Sequence, residues 1–206
     1  MFRLSLIEYS GGMNYLAHAF LSPPDPRVLA GNLAGDSIRR IEIDAMPPKV
    51  MEGLVLHEKI DTATDNLTLF KSLRKGINQA GLPYAGVLAD LFIDYALASQ
   101  WQHFSQRSFT DFKAWVYRVI GEEERHIIEG FGFTAMVLVR EDWFESYRTL
   151  EGMRTAFFRL NRKTRRPLPV DEIMDYLASN RLQVQESGAW ILTAVAKIVG
   201  CKLPQY

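Results

Sequence analysis

The sequence has few of the residues that define several common classes of protein. Its 206 residues include one cysteine, Cys201, so neither a disulfide framework nor a thiolate zinc site is available. No apolar run reaches the roughly 20 residues that a membrane-spanning helix needs. Basic and acidic residues each number 24, and the resulting formal net charge of zero argues against a general nucleic-acid coat. These absences predict a protein of the reducing cytoplasm that binds neither membranes nor nucleic acids.

Several catalytic signatures are missing as well. The glycines at positions 31 and 35 are not followed by a third, and no strand precedes them, so they do not form a dinucleotide-binding fingerprint. There is no Walker loop and no serine nucleophile elbow. Glu123 and His126 have the spacing of half a ferritin-like di-iron site, but no second such pair exists. A single histidine in a helix is more often a hydrogen-bonded packing residue than a ligand, so we interpret His103 and His126 as packing residues.

The apolar residues recur mainly at three- and four-residue spacing, which predicts an all-α protein with a single helical domain. The strongly patterned sequence starts at Met13, so we expect an N-terminal extension over residues 1–12 and the domain over residues 13–206. Asp25 and Pro26 predict the start of a helix that reaches about Ala34. A further helix is expected to begin at Pro48 and to include Asp61, and the next one is expected to end at Gly81. Helices are also expected over residues 14–21, 83–104, 110–120, 143–162 and, as one or two helices, 170–199.

Two stretches place acids or a histidine at four-residue intervals, which puts them on one face of a helix. His57, Asp61 and Asp65 form one column, which suits Mn²⁺, Mg²⁺ or Fe²⁺ or else belongs to a surface ladder of charges with Lys59. Asp90 and Asp94 lie in an apolar helix, where two buried acids need a compensating cation or arginine pair. A metal-centred site is therefore the first hypothesis.

Other candidates stand apart from these columns. Asp36 follows a glycine-framed turn that lets two backbone segments approach closely, and His18 lies in an apolar helix that would accommodate a neutral core histidine. A basic run lies in the C-terminal third of the chain, and a basic pair lies earlier. These residues form either a solvated surface or a docking surface for an acidic partner. The members of the run are Arg159, Arg162, Lys163, Arg165 and Arg166, with Arg39 and Arg40 as the earlier pair.

The segments MNYLAHAFLS, GNLAGDSIRR, LHEKIDTATDN and DLFIDYALASQW have the order and spacing seen in the acyl carrier protein phosphodiesterases, and the chain resembles that family from Met13 to about Trp101. The resemblance implies an all-helical, divergent relative of the HD-domain metal phosphohydrolases. It also implies a reaction in which Mn²⁺ or Mg²⁺ helps to cut the phosphodiester between phosphopantetheine and a serine of holo acyl carrier protein.

The resemblance assigns roles to the candidate residues. Asp36 matches the family's essential aspartate, and His18 matches its N-terminal histidine. The expected metal ligands are Asp36, His57, Asp61 and Asp94, with Mn²⁺ preferred over Mg²⁺ or Fe²⁺. The expected catalytic residues are Asp36, His18 as general acid, and Asp90 or Asp65 to orient water, and the basic residues are expected to meet the acidic carrier protein.

Two positions depart from the family pattern, and two other functions stay open. Tyr95 stands where relatives commonly have a histidine, and a phenol is a poor metal ligand near neutral pH. Glu58 replaces a residue that is commonly basic in the family.

The alternative functions are an HD-like hydrolase of a small phosphoester or nucleotide, and a non-catalytic helical module that binds a carrier protein.

Overall fold

A computed structural model describes residues 15–37, 46–123, 129–162 and 164–202. Within these ranges the regular structure is helical throughout, which confirms the all-α prediction. None of the described helices combines the length and apolar character needed to cross a bilayer. The α-helices are α1 (Tyr15–Phe20), α2 (Pro26–Ala34), α3 (Pro48–Asn66), α4 (Thr68–Gln79), α5 (Ala85–Ser99), α6 (Phe109–Glu123), α7 (Glu129–Arg140), α8 (Trp143–Ser146), α9 (Leu150–Asn161), α10 (Val170–Ser179) and α11 (Arg181–Val199).

Some sequence predictions fall outside the described residues. They are the extension over residues 1–12 with its boundary at Met13, the basic residues Arg39, Arg40 and Lys163, and the packing role of His126. The single domain over residues 13–206 therefore stays a prediction.

Helix α5 is the centre of the core because its sequence is apolar on every side. All residues from 88 to 97 are buried, and the helix packs against α11, α4 and α1. Asp90 and Asp94 are both fully buried within this helix. Their surroundings therefore decide what these acids do.

Helices α2 and α3 pack unusually closely. A Cβ atom added to Gly31 would lie 2.1 Å from the carbonyl oxygen of Val50, and one added to Gly53 would lie 2.2 Å from that of Val28. Only glycine permits this approach. Consequently polar residues that lie beyond these glycines on the facing sides of α2 and α3 come within hydrogen-bonding distance of one another.

The start of α2 agrees with its sequence signal. The side chain of Asp25 accepts hydrogen bonds from the backbone N–H groups of Arg27 and Val28 at 3.0 and 3.2 Å, and Pro26 occupies the first turn. These contacts satisfy backbone donors that a helix start leaves without partners.

The prediction of one helix over residues 143–162 is wrong. Helix α8 ends at Ser146, and α9 begins at Leu150. The backbone of Thr149 is extended, and its hydroxyl accepts a hydrogen bond from the N–H of Gly152 at 3.0 Å, which starts a new helix.

The helix predicted over residues 83–104 is also shorter, because the backbone of Tyr84 is left-handed and a 3₁₀ turn over Trp101–His103 follows Ser99. The segment 170–199 forms two helices, α10 and α11.

Candidate metal centre

A compact group of three metal-ligand side chains lies where α1 meets α3. One ligand atom from each of His18, His57 and Asp61 lies within 4.8 Å of the other two, and no other such group occurs in the part of the chain that the structure describes. The Nε2 atom of His18 is 3.1 Å from one carboxylate oxygen of Asp61, and that of His57 is 3.3 Å from the other. The two imidazole rings stack with their centroids 4.3 Å apart.

Asp36 adds a second carboxylate at the edge of this group. It lies in the 3₁₀ turn Gly35–Ser37 that follows α2, and its Oδ1 atom is 3.4 Å from Nε2 of His57. The side chain of Asp36 is 43% exposed, compared with 21% for Asp61, so Asp36 lies at the open side of the site. The preceding Gly35 makes room for the ring, because a Cβ there would lie 2.2 Å from Cγ of His57.

Asn32 contacts both histidines of this group, although it is not among the site residues predicted from the sequence. Its amide nitrogen is 2.9 Å from the carbonyl oxygen of His18 and 2.8 Å from Oγ of Ser22, to which it donates. Its amide oxygen lies 2.8 Å from Nδ1 of His18, and its backbone carbonyl lies 2.8 Å from Nδ1 of His57. The one signal available was its position between two glycines in a buried helix.

Asn32 determines which nitrogen of each imidazole carries the proton. Both of its oxygens are acceptors, so the network assigns a proton to Nδ1 of His18 and to Nδ1 of His57. In the neutral rings both Nε2 atoms then carry lone pairs, which face the carboxylates of Asp61 and Asp36. A hydrogen bond to the remote nitrogen is the usual way in which proteins orient a histidine that binds a metal.

The spacing and chemistry of these donors fit a divalent cation. Lone pairs that face a carboxylate repel it unless a proton or a metal ion lies between them. Metal–ligand bonds of about 2.1 Å at octahedral or tetrahedral angles place neighbouring donor atoms about 3.0 to 3.4 Å apart. The three imidazole–carboxylate distances of 3.1, 3.3 and 3.4 Å lie in this range and are also those of a hydrogen bond. Two imidazoles with two carboxylates suit a transition-metal ion such as Mn²⁺ or Fe²⁺.

The electrostatics of the group favour a positive charge in the same place. Burial lowers the pKa of His57, but the carboxylates of Asp36 and Asp61 outweigh it and raise that pKa to about 10. Burial raises the pKa of Asp61, but hydrogen bonds and charge from His18 and His57 hold it at about 2. The pocket thus stabilises a cation between imidazole and carboxylate.

Asp94, expected from the sequence to be a metal ligand, contacts the backbone of α1. Its carboxylate accepts hydrogen bonds from the N–H groups of Leu16 and Ala17 at 3.2 and 2.9 Å. It is not part of the three-residue group described above. Burial raises the pKa of Asp94 to about 8, although these two backbone donors oppose the rise. The structure therefore places Asp94 as the N-terminal cap of the short helix that carries His18.

The other predicted catalytic acids also lie outside the three-residue group. Asp90 is fully buried in α5. Asp65 lies one turn beyond Asp61 in α3, is 44% exposed, and pairs with Nη1 of Arg74 at 3.5 Å. His18, expected to be a general acid, is one of the three side chains of this group, and its Nε2 atom faces Asp61.

The predicted basic run does not form one surface. Arg159 is a correction, because it is only 8% exposed, lies 5.3 Å over the ring of Trp143 and donates to Ser146. A buried guanidinium cannot meet a partner protein. Arg162 is exposed but pairs with Glu141 at 3.4 Å, whereas Arg165 and Arg166 are exposed in the loop before α10.

The tyrosine that departs from the family pattern lies away from the ligand group. Tyr95 is 3% exposed, and its phenol interacts with Ser99 and Arg181, whereas Asp94 beside it points to α1. Burial raises the pKa of Tyr95. A tyrosine at this position therefore removes no donor from the group formed by His18, His57 and Asp61.

A helical scaffold with stacked imidazoles and carboxylates around one point defines an all-α protein with a candidate metal centre. Comparison with known proteins gives the family. A sequence model described as acyl carrier protein phosphodiesterase matches residues 13–193. The chain belongs to the acyl carrier protein phosphodiesterase family, which confirms the resemblance seen in its motifs.

The curated relatives have the same name. Proteins named acyl carrier protein phosphodiesterase from Salmonella agona (strain SL483), Salmonella newport (strain SL254) and Salmonella heidelberg (strain SL476) are each 28% identical to this chain over 144 residues. Each alignment covers 68% of this chain and 72% of the relative. No solved structure matches the chain significantly.

Proposed function

We propose that this protein is a metal-dependent phosphodiesterase of the cytoplasm that hydrolyses the bond between 4'-phosphopantetheine and serine in holo acyl carrier protein. The observation that carries the proposal is the convergence of two imidazole Nε2 atoms on the carboxylates of Asp61 and Asp36. Membership in the acyl carrier protein phosphodiesterase family supports the choice of substrate.

The ligand set we propose is His18, His57, Asp61 and Asp36. A divalent ion held there, with Mn²⁺ preferred over Mg²⁺ or Fe²⁺, would lower the pKa of a bound water and offset negative charge on the phosphoryl oxygens. Asn32 orients both rings through their Nδ1 atoms. Asp36, as the most exposed of the four side chains, lies where a substrate phosphodiester would enter.

The roles of the remaining acids follow from their exposure. Asp65 is our candidate for orienting the attacking water, because it is partly exposed and lies one turn from Asp61. Asp90 is less well placed for that role, since it is fully buried in α5. Asp94 supports the site indirectly by capping α1, the helix that carries His18. The kinship with HD-domain phosphohydrolases stays a prediction.

Mass spectrometry of holo acyl carrier protein tests the proposal directly. Incubation with the protein and Mn²⁺ should remove the phosphopantetheine mass, and chelated protein or the Asp36→Ala variant should not. The exposed Asp175→Ala in α10 is the matched control and should retain activity. Full activity of Asp36→Ala would refute the assignment of the ligand set.

The same assay separates the two alternative functions. A hydrolase of small phosphoesters or nucleotides would process those substrates with a higher kcat/KM than holo acyl carrier protein. A non-catalytic module would bind the carrier protein in the presence of chelator and would release nothing after metal is added.

A further inference from the structure

Helix α4 presents a basic face that the sequence analysis did not single out. Lys71, Arg74 and Lys75 lie on the solvent side of the helix, whereas Phe70, Leu73 and Ile77 are buried on the other side. The three basic side chains line an open surface depression together with Asn78 and Gln79. This face is therefore cationic over more than one helical turn.

The loop before α10 brings more positive charge to the same region. The backbone N–H of Arg166 donates to the hydroxyl of Tyr84 at 3.0 Å. Tyr84 is two residues from Gly86, and a Cβ on Gly86 would lie 3.7 Å from Nε of Arg74. The start of α5 thus holds the exposed loop that contains Arg165 beside α4.

We define the α4 basic surface as the basic residues of α4 together with the two arginines of the loop that Tyr84 contacts. They are Lys71, Arg74, Lys75, Arg165 and Arg166.

The α4 basic surface adjoins the candidate metal centre and is poorly neutralised by the protein itself. Nη1 of Arg74 is 3.5 Å from Asp65, which lies one turn along α3 from the ligand Asp61. In the described ranges Arg74 is the only one of the five cations within 4.0 Å of a carboxylate. Cations that no carboxylate neutralises, next to a reaction site, are suited to binding an acidic molecule.

We propose that the α4 basic surface is the docking site for an acidic carrier protein, whose phosphodiester then reaches the metal centre past Asp65 and Asp36. The inference rests on the proposed function and names the partner surface for it. Charge complementarity of this kind mainly speeds encounter and fixes orientation, and salt weakens it.

The test is a charge reversal at the two lysines, Lys71→Glu with Lys75→Glu. Both side chains are exposed, and the change leaves the contacts of Arg74 with Asp65 and Phe70 in place. The matched control reverses two exposed arginines, Arg118→Glu in α6 and Arg140→Glu in α7. Helix α6 packs against α2 and α7, and α7 packs against α6 and α8, so these side chains lie on other helices than α4. Both variants change the net charge by the same amount.

We expect the lysine variant to raise KM for holo acyl carrier protein by about tenfold or more at low salt, which corresponds to about 1.4 kcal/mol. High salt should shrink the difference, and kcat should change little. Hydrolysis of bis(p-nitrophenyl) phosphate, a small diester, should be the same in the variant and the native protein. The arginine variant should match the native protein on both substrates.

Three results would overturn the proposal. One is an equal rise of KM in the lysine and arginine variants, and another is an equal loss on the protein and the small diester. The third is tighter binding of RNA or DNA than of carrier protein to the native surface.

Binding of apo acyl carrier protein, followed by fluorescence anisotropy, needs no turnover. Loss of that binding in the lysine variant would support docking even if the native protein released no phosphopantetheine. Cleavage by the native protein with unchanged binding in the variant would retain the proposed function and refute this surface.

Discussion

The His57–Asp61 turn of α3 and the Asp90–Asp94 turn of α5 have the same four-residue spacing but different neighbours. His57 and Asp61 face His18 and Asp36, which present more lone pairs to the same point. Asp94 faces the N–H groups of Leu16 and Ala17 instead. A carboxylate surrounded by other donors of electron pairs needs a cation, whereas one that accepts backbone hydrogen bonds is already satisfied in part. The comparison predicts that α3 supplies ligands to the metal and that α5 supplies none.

The largest effect is expected at Asp61. Asp61→Asn should abolish metal binding and lower kcat/KM by more than about a thousandfold, because a bound metal supplies several kcal/mol of transition-state stabilisation. Metal content by mass spectrometry and the phosphopantetheine release assay measure the two effects. Retention of metal by Asp61→Asn together with its loss from Asp94→Asn would reverse the comparison.

Removing the metal should be the next largest effect. At a free Mn²⁺ concentration about a hundredfold above Kd, the folded state should gain about 2.7 kcal/mol of stability over chelated protein. Chemical unfolding with and without Mn²⁺ measures the difference. In His57→Ala the Mn²⁺-dependent gain should disappear, and equal gains in both proteins would show that the ion binds elsewhere.

Asn32 should matter because it orients both ring nitrogens. Asn32→Asp retains the size of the side chain but removes the amide donor to His18 and Ser22, and Asn32→Ala removes the side chain altogether. Loss of such an orienting group commonly costs about 10- to 100-fold in metal affinity. Titration with Mn²⁺ gives the affinity. Unchanged affinity in both variants would show that the imidazole orientation does not depend on Asn32.

Replacing Asp94 should change how the free energy of unfolding depends on pH. Its pKa in the folded protein is about 8, compared with 3.8 for an ordinary aspartate. Between these two pKa values the folded state holds a proton that the unfolded state releases. The free energy of unfolding therefore falls as pH rises through this range, by up to about 1.4 kcal/mol per pH unit. Asp94→Asn should flatten that fall in chelated protein, as measured by urea unfolding, and should retain metal binding.

The smallest effect on stability is expected at Asp65. Its pair with Arg74 is nearly half exposed on both sides, and exposed ion pairs contribute about 0 to 1 kcal/mol. Asp65→Asn should therefore change the free energy of unfolding by less than about 1 kcal/mol. A fall in kcat of about a hundredfold with metal retained would support its role in orienting water, and a kcat equal to that of the native protein would exclude that role.

The predictable part of the fold depended on local signals. Asp25 with Pro26 gave the start of α2 because a capping side chain and its helix are neighbours in sequence. The break between α8 and α9 was missed, although Thr149 has a capping hydroxyl, because the apolar period continues across it. Local hydrogen bonds therefore outweighed periodicity at that point.

The sequence by itself determined the helical class, the family and the column of His57 and Asp61, since periodicity and motif order are properties of the chain. The family motifs already predicted Asp36 beside that column, and only the tertiary structure decided that His18 joins it and that Asn32 contacts both rings. It also decided that Asp94 caps α1 and that Arg159 is buried. The physical reason is that a ligand set or a cap is completed by atoms from other helices, and the close approach of α2 and α3 at two glycines brings those atoms together.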